Sequence, residues 1–393
     1  MNRLLFLTSV TFSHMGGMEI YNDQLASALG AQLNGQVYML PVNDRTPVKT
    51  PGADYQLLSL GLLHQLPSHT LRDHLLYRGA RWLASRAIAS HHLDFILCGH
   101  VHLLPLAAEL SRLHQLPYAI IGHGIEMWSA LAPAKVEALR HAEWGIAVSR
   151  FTAEKMAEKG LARHKISILP PHVDTHFFVM DKGLGKSLRQ KRGWNGKKVL
   201  LTVGRLAADE RYKGHDTVIQ ALRLALPAQP DLLYVIAGDG DDRPRLEALT
   251  ADYGLQDHVQ FLGYVPEEDK VALYNACDVF IMVSQANERD NRWVGEGFGI
   301  VFLEANACGK AVIGPDVGGA LDAIEDGVSG LLVSPDDVSA VSRAILALAG
   351  DPVLCRQLGE QGRQRAERRF SLEMLNHQVG ELLHELFQRT VAV

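Results

Sequence analysis

The feature that most constrains the fold is an alternation of short apolar runs with longer amphipathic stretches in both halves of the chain. Several runs are apolar at nearly every position, which is typical of strands with both faces buried under helices. Strand–helix alternation of this kind predicts two doubly wound α/β domains with mostly parallel sheets. The predicted strands are residues 4–10, 36–42, 55–60, 95–99, 118–122, 145–149, 166–169, 199–204, 233–238, 259–264, 279–284, 311–314 and 330–333.

A domain boundary is predicted where Pro170 and Pro171 follow a strand, because consecutive prolines end regular structure and favour an extended exit. We therefore predict an N-terminal domain over residues 1–172, a C-terminal domain over residues 173–372 and a final helix over residues 373–393. The apolar side of that helix is formed by Leu372, Leu375, Val379, Leu382, Leu383 and Leu386.

The composition fits packed domains and excludes several classes of protein. With 47% hydrophobic and 21% charged residues, the chain has enough apolar material for large cores, so a disordered or fibrous protein is excluded. The formal net charge of −5 gives no general attraction to nucleic acid, and we expect no nucleic-acid partner.

Neither membrane insertion nor an oxidising compartment is indicated by the sequence. No apolar run reaches the roughly 18 residues of a spanning helix, and the N-terminal apolar stretch is short for a signal peptide. The four cysteines, Cys98, Cys277, Cys308 and Cys355, are far apart, which is typical of reduced thiols. We therefore expect a cytoplasmic protein.

The strongest chemical signal is a glycine-rich block at residues 295–309, in which an apolar run follows closely spaced glycines. A helix that begins there would leave the backbone N–H groups of Gly299, Ile300 and Val301 free to bind phosphate. Glu296 precedes this helix and Glu304 lies inside it. Carboxylates so close to a phosphate site are expected to face hydroxyl groups, such as those of sugars and riboses.

Two cations follow the first predicted strand of the C-terminal domain. Arg205 comes directly after the strand and Lys213 lies in the next loop. Ligands of parallel sheets collect at the carboxyl ends of strands, and this pair is suited to a diphosphate. We interpret Lys213 as an exposed loop residue without a structural partner.

Two glycine motifs in the N-terminal domain also follow predicted strands. Gly16 and Gly17 allow the backbone to approach a ligand closely, and the alternative is an ordinary strand–helix turn. His123 lies between two glycines after the strand at residues 118–122. We expect it to be more exposed than a core histidine and to take part in function.

A basic amphipathic segment at residues 69–92 allows two interpretations. It can pack on the sheet, or it can also lie on anionic lipid. No zinc motif is completed by the histidine pairs His91-His92 and His100-x-His102, so no metal site is predicted.

Taken together, these residues resemble glycosyltransferase family 4, whose members are retaining enzymes of the GT-B fold. The residues that carry the resemblance are Gly16, Gly17, His123, Arg205, Lys213, Glu296 and Glu304. The resemblance implies two Rossmann-like domains that face a central cleft. The N-terminal domain would bind the acceptor, the C-terminal domain the nucleotide sugar, and the final helix would return to the first domain.

The resemblance also implies a role for each residue. Arg205 and Lys213 would hold the donor diphosphate, Glu304 the ribose hydroxyls, and Glu296 the donor sugar. Gly263, Tyr264 and Val265 would contact the base. Gly16 and Gly17 would lie against the donor, and His123 near the anomeric carbon.

The expected function is transfer of a sugar from a nucleoside-diphosphate sugar to a hydroxyl acceptor with retention. The acceptor would be a saccharide or a lipid-linked precursor of a cell-surface glycan, and no metal or other cofactor would be required. Contact with an anionic membrane would place the enzyme at the inner face of the cell membrane. The alternatives are an epimerase or hydrolase of the same fold, or a non-catalytic nucleotide-sugar sensor.

Overall fold

The computed structural model describes residues 3–9, 16–44, 50, 52–61, 69–289 and 292–391. Its contacts divide the chain into two compact units, one formed by Met1–Pro171 with Leu372–Val393 and the other by His172–Ser371. Each unit contains a parallel sheet packed against helices, so the expected class of two doubly wound α/β domains is confirmed.

The sheet of the first unit has seven strands in the order β3-β2-β1-β4-β5-β6-β7, and every neighbouring pair is parallel. Each predicted strand of this half is present, although Val10, the predicted end of the first strand, lies outside the described residues. The strands are β1 (Leu4–Thr8), β2 (Val37–Pro41), β3 (Gln56–Leu57), β4 (Phe95–Cys98), β5 (Tyr118–Gly122), β6 (Trp144–Ala147) and β7 (Ile166–Ile168).

The helices of the first unit connect these strands. They are α1 (Gly17–Gln32), α2 (His69–His91), α3 (Leu104–His114), α4 (Ile125–Trp128), α5 (Pro133–Arg140) and α6 (Arg150–Glu158), with short 3-10 helices at Val101–Leu103 and Arg163–Lys165. Because the strand order reverses at β1, the carboxyl ends of β1 and β4 form the position where ligands of such sheets bind.

The sheet of the second unit has six parallel strands in the order β10-β9-β8-β11-β14-β15. The strands are β8 (Lys198–Val203), β9 (Leu232–Ala237), β10 (Val259–Gly263), β11 (Val279–Ile281), β14 (Ala311–Pro315) and β15 (Gly330–Val333). Alternate residues of β8 enter two separate cores, with Val199 and Leu201 on one face and Leu200 on the other. Burial of both faces explains why the predicted strands are continuous apolar runs.

An antiparallel hairpin that the sequence did not predict precedes the glycine-rich block. It consists of β12 (Asn287–Arg289) and β13 (Arg292–Val294). The helices of the second unit are α7 (Lys182–Arg192), α8 (His215–Ala225), α9 (Arg243–Asp252), α10 (Glu267–Ala276), α11 (Ile300–Ala307), α12 (Ala320–Ala323), α13 (Val338–Gly350) and α14 (Pro352–Arg369), and a 3-10 helix spans Ala208–Lys213.

The last helix, α15 (Leu372–Val391), returns to the first unit and packs on α1, as expected. Its predicted apolar side is buried there, with Leu375, Val379 and Leu383 in the same core as Leu25 and Leu29 of α1. This burial, and not helix propensity alone, holds the helix in place.

None of the helices that the structure describes is by itself long and apolar enough to cross a membrane. The consecutive helices α13 and α14, bent by 97°, meet the length and composition criteria only when they are taken together.

Candidate functional site

The two predicted phosphate-binding cations lie where the strand order of the second sheet reverses, beside β8 and β11. Arg205 follows the carboxyl end of β8, and Lys213 ends the 3-10 helix that precedes α8. The chain can bring Lys213 back to the sheet because Gly214 has φ +80° and lies so close to Val283 that a Cβ atom would be 2.3 Å from its carbonyl oxygen. Open α/β sheets bind ligands at this type of position.

A carboxylate links the two cations. The ammonium of Lys213 donates to Oε2 of Glu210 at 2.6 Å, and the Arg205 guanidinium pairs with Oε1 of the same side chain. The Lys213 side chain is only 11% exposed, whereas that of Arg205 is 77% exposed. The interpretation of Lys213 as an exposed residue without a partner is therefore wrong, because the fold of the 3-10 helix turns its ammonium inward onto Glu210.

Glu296 lies close enough to this group to interact with it electrostatically. Burial raises the pKa of Glu296, Lys213 opposes that shift, and the negative charge of Glu210 adds to it. The backbone around Glu296 is held by Gly319, whose N–H donates to the Glu296 carbonyl oxygen at 3.2 Å. A Cβ atom at Gly319 would lie 1.8 Å from the carbonyl oxygen of Gly297, so the two loops approach at a distance that only glycine allows.

Helix α11 begins at Ile300, and Gly299 is its N-cap residue with φ +89°. A Cβ atom at Gly299 would lie 2.6 Å from the Phe302 ring, so a side chain does not fit at this position. Within the described part of the chain, no side chain caps this helix. The first turn, which includes Val301, therefore presents backbone N–H groups in the arrangement that binds anions.

Glu304 lies inside α11 and is 2% exposed. Its Oε2 accepts a 2.5 Å hydrogen bond from the Tyr274 hydroxyl on α10. Burial raises the pKa of Glu304, while Lys270 and the Tyr274 hydroxyl oppose the shift. Because Glu304 is the fifth residue of α11, it does not cap the helix.

The predicted base-binding segment ends β10 and leads into α10. Gly263 has φ +74°, the Tyr264 side chain is 79% exposed, and Val265 packs partly on the core. Lys270, one helical turn before Tyr274, interacts electrostatically with both Glu304 and Tyr264. Burial lowers the pKa of Lys270, but Glu304 and Glu267 raise it by more.

Three residues of this arrangement were not found from the sequence, namely Glu210, Lys270 and Tyr274. Charged residues at such positions are usually solvated, and only the tertiary structure brings Glu210 to Arg205 or Lys270 to Glu304. The (i, i+4) spacing of Lys270 and Tyr274 on one face of α10 is the signal that a search outward from Glu304 could have used.

The predicted glycines of the first unit begin α1. Gly16 is the N-cap residue and Gly17 the first helical residue, and both are exposed. A Cβ atom at Gly16 would lie 2.7 Å from a carboxylate oxygen of Glu19, the flexible end of a side chain. The geometry is therefore compatible both with ligand contact and with an ordinary strand–helix turn.

His123 follows β5 and is buried, so the expectation of unusual exposure is wrong. Its Nε2 lies 2.9 Å from the Gly99 carbonyl oxygen, and its ring makes an edge contact with Tyr21 at 5.3 Å between centroids. The Glu126 carboxylate accepts hydrogen bonds from the backbone N–H groups of His123 and Gly124. Burial lowers the pKa of His123 to about 4, and the Gly99 carbonyl opposes that shift. The imidazole is therefore neutral at physiological pH.

Two further histidines, His100 and His102, lie just after the carboxyl end of β4. The His100 and His102 rings stack at 4.8 Å between centroids, and Nδ1 of His102 lies 2.8 Å from the Lys135 ammonium. Burial lowers the pKa of His100 to about 4, although Glu126 opposes the shift. Among the residues that the structure describes, no group of three or more histidine, cysteine, aspartate or glutamate side chains could hold a metal ion.

Two family models match this chain, one in each half. Glycosyltransferase Family 4 matches residues 15–177, and Glycosyl transferases group 1 matches residues 186–365. Together they include all the predicted site residues, from Gly16 to Glu304.

The curated relatives include a GDP-mannose-dependent alpha-(1-6)-phosphatidylinositol monomannoside mannosyltransferase of Mycolicibacterium smegmatis. It is 30% identical over 306 residues, which cover 76% of this chain and 78% of that protein. A protein of the same description from Mycobacterium tuberculosis is 26% identical over 392 residues, or 98% of both chains.

Solved structures with the same fold cover nearly the whole chain. Anabaena HepE in complex with UDP and glucose has a TM-score of 0.79 at 22% identity and covers 98% of this chain and 100% of its own. Sucrose-phosphate synthase from Thermosynechococcus elongatus has a TM-score of 0.77 at 24% identity, again with 98% and 100% coverage.

Proposed function

The chain belongs to the glycosyltransferases of family 4 and group 1, and from this we propose that it transfers a hexosyl group with retention at the anomeric carbon. It is a glycosyltransferase of the GT-B fold that uses a nucleotide sugar as donor. The observation that carries the proposal is the position of Arg205 and Lys213, at the strand-order reversal of the second sheet and within electrostatic reach of Glu296.

The donor diphosphate is assigned to Arg205, Lys213 and the first turn of α11. As the bond between the anomeric carbon and the diphosphate breaks, negative charge grows on the leaving group and the sugar becomes oxocarbenium-like. Lys213 and the N–H groups of Gly299, Ile300 and Val301 are held by the fold before the reaction, so they stabilise that charge with little reorganisation. The exposed guanidinium of Arg205 adds a second positive charge. We propose that no divalent metal is needed.

The nucleoside of the donor is assigned to Glu304, inside α11, and to the segment that ends β10. Glu304 is proposed to accept hydrogen bonds from the ribose hydroxyls, while Tyr274 fixes the orientation of its carboxylate. The segment Gly263-Tyr264-Val265 is proposed to contact the base, and the exposed Tyr264 ring supports this assignment because it is available for stacking.

Glu296 and His123 are proposed to act at the sugar. Glu296 precedes the α11 N-terminus, where it can accept hydrogen bonds from sugar hydroxyls. His123 remains neutral, so it can contact the reacting sugar without adding a positive charge beside the oxocarbenium-like centre. Gly16 and Gly17 are proposed to bring the backbone close to the donor.

We propose that the acceptor is a saccharide or lipid-linked precursor of a cell-surface glycan and that the first unit binds it. The two curated relatives described above are phosphatidylinositol monomannoside mannosyltransferases, which supports an acceptor of this class.

The surface of α2 also suits a membrane. Trp82 is 61% exposed, the guanidinium of Arg86 lies 5.4 Å from its ring centre, and Arg78 is exposed one turn earlier. We therefore propose peripheral contact with anionic lipid at the cytoplasmic face.

The test is turnover with a panel of GDP-mannose, UDP-glucose and ADP-glucose, each with and without lipid-linked and free saccharide acceptors. We expect release of nucleoside diphosphate that depends on an acceptor, and a product with the same anomeric configuration as the donor by NMR. Equal release without an acceptor would indicate a hydrolase. Donor binding with no release under any condition would indicate a sensor, and an inverted product would contradict retention.

A further inference from the structure

Glu210 has no role in the transferase assignment, although it is the group that holds both diphosphate-binding cations. Each of its carboxylate oxygens is occupied, Oε1 by Arg205 and Oε2 by Lys213. Its side chain and that of Lys213 are both largely buried, so the pair is shielded from solvent and salt more than a surface ion pair would be.

The charge of this group is a problem for donor binding. Arg205 and Lys213 contribute two positive charges, and Glu210 and Glu296 contribute two negative charges when both are ionised. A nucleotide sugar brings further negative charge on its diphosphate. While Glu210 occupies the cations, the diphosphate would meet a group with no net positive charge, whose two carboxylates would repel it.

The backbone that follows Glu210 is held in place at Tyr212 and Gly214, so the Glu210 side chain is the part that can change. The Tyr212 carbonyl oxygen accepts a 2.7 Å hydrogen bond from the Gln285 backbone N–H, and Gly214 packs directly on Val283. These contacts fix the last part of the 3-10 helix, beyond a backbone kink at Glu210, to the segment that follows β11. A rotation of the Glu210 side chain would free Lys213 without moving that helix.

We propose that Glu210 is an exchangeable counter-ion, which holds Arg205 and Lys213 in place when the site is empty and is displaced by the donor diphosphate. This rests on the proposed assignment of the diphosphate to these cations. When the sugar has been transferred, return of the carboxylate to Lys213 competes with the nucleoside diphosphate and promotes its release. Glu210 is therefore a positioning residue that lowers the affinity for the product.

The proposal predicts that removal of the charge strengthens binding. Glu210→Gln is expected to bind UDP or GDP, whichever the wild type binds, about three- to tenfold more tightly, because no carboxylate competes for the cations. Inorganic pyrophosphate should show the same gain, since it carries the diphosphate alone. In steady-state kinetics KM for the donor should fall, and kcat should fall where product release limits turnover.

Asp209→Asn is the matched control. Asp209 lies in the same 3-10 helix, is exposed and carries the same charge, but it is not part of the ion-pair group. It should change the affinity for nucleoside diphosphate by less than about twofold, because exposed charges are screened. Equal gains in the two variants would overturn the proposal in favour of a general charge effect.

Weaker binding by a folded Glu210→Gln would also overturn the proposal, because it would show that Glu210 only supports Lys213. If Glu210→Gln does not fold, Glu210→Asp decides the question. Its shorter carboxylate keeps the charge but cannot span both cations, so about twofold tighter binding is expected and weaker binding contradicts the proposal. Failure of the wild type itself to bind any nucleoside diphosphate would instead contradict the proposed function.

Discussion

The Tyr274 hydroxyl donates a 2.5 Å hydrogen bond to Oε2 of Glu304, and both side chains are buried between α10 and α11. Burial raises the pKa of Glu304, so an ionised carboxylate at this position would lower the stability of the fold. If Glu304 served stability alone, its replacement by Gln would leave donor binding unchanged. The relationship therefore separates a ligand-binding role from a structural one.

Glu304→Gln is accordingly expected to weaken donor binding and to leave the melting temperature unchanged or slightly raised. Loss of a charged hydrogen bond to the ribose should cost about 1.5–3 kcal/mol, or roughly ten- to a hundredfold in Kd. Tyr274→Phe is the control, because it removes the hydroxyl but keeps the carboxylate. It should lower stability by about 1–3 kcal/mol with a smaller effect on Kd. A lower melting temperature with unchanged donor binding in Glu304→Gln would leave Glu304 as a structural residue.

Lys213→Ala is expected to lose turnover much more than stability. Removal of a cation that stabilises the leaving diphosphate should lower kcat/KM by about a hundredfold or more. Arg205 still pairs with Glu210 in this variant, so that carboxylate keeps one partner and the protein should fold. Arg211→Ala is the matched control, since Arg211 lies in the same 3-10 helix but pairs with Asp242. Kinetics and melting curves for the two variants decide the matter, and near wild-type activity in Lys213→Ala contradicts the phosphate role.

The sequence predicted the strands well because parallel strands buried on both faces are continuous apolar runs. Val199, Leu200 and Leu201 of β8 are an example, since neighbouring residues enter opposite cores and each of them is therefore apolar. The hairpin of β12 and β13 was missed for the corresponding reason. Asn287-Glu288-Arg289 has no apolar face, so its sequence carries no strand signal.

The candidate site was predicted in part. Glycine positions in the α11 block indicated the helix start correctly, because the left-handed conformation of Gly299 is a local requirement. Burial depends on distant parts of the chain, so the sequence did not predict that His123 is buried in edge contact with the Tyr21 ring. For the same reason it did not predict that the Lys213 ammonium is buried against Glu210. The roles of these residues toward the donor remain predictions.

Stability is expected to fall steeply in mild acid because of three buried histidines. Burial lowers the pKa of His100, His123 and His215 to about 4, whereas the unfolded chain binds a proton at each near 6.5. Between these values the unfolded state holds more protons, so stability rises with pH and is lost as pH falls. Each histidine should cost about 2 kcal/mol between pH 7 and pH 5.

Urea unfolding at pH 7, 6 and 5 measures this dependence. His215→Gln should reduce the difference in unfolding free energy between pH 7 and pH 5 by about 2 kcal/mol, whatever its effect at pH 7. His377→Gln serves as the control because His377 is exposed on α15. A stability that is independent of pH over this range would show that the buried histidines are protonated at no cost.

If α2 contacts the membrane, binding of the protein to vesicles should depend on lipid charge and on salt concentration. Wild-type protein should sediment with vesicles that contain phosphatidylserine or phosphatidylglycerol at low salt, and much less at high salt or with purely zwitterionic vesicles. Trp82→Ala should weaken binding at both salt concentrations, since the indole contributes apolar contact. Arg78→Gln combined with Arg86→Gln should remove the salt-sensitive part, at about 1 kcal/mol per arginine near the surface.

The control for this experiment lies on the same helix. Arg81 forms a 2.9 Å ion pair with Glu109 of α3, so its charge is already compensated within the protein. Arg81→Gln should therefore reduce vesicle binding less than Arg78→Gln does, although both substitutions remove one positive charge from α2. Equal losses would indicate that the membrane attracts the net charge of the first unit and that α2 does not lie on the lipid surface. No salt-sensitive binding by the wild type would mean that α2 serves only to pack on the sheet.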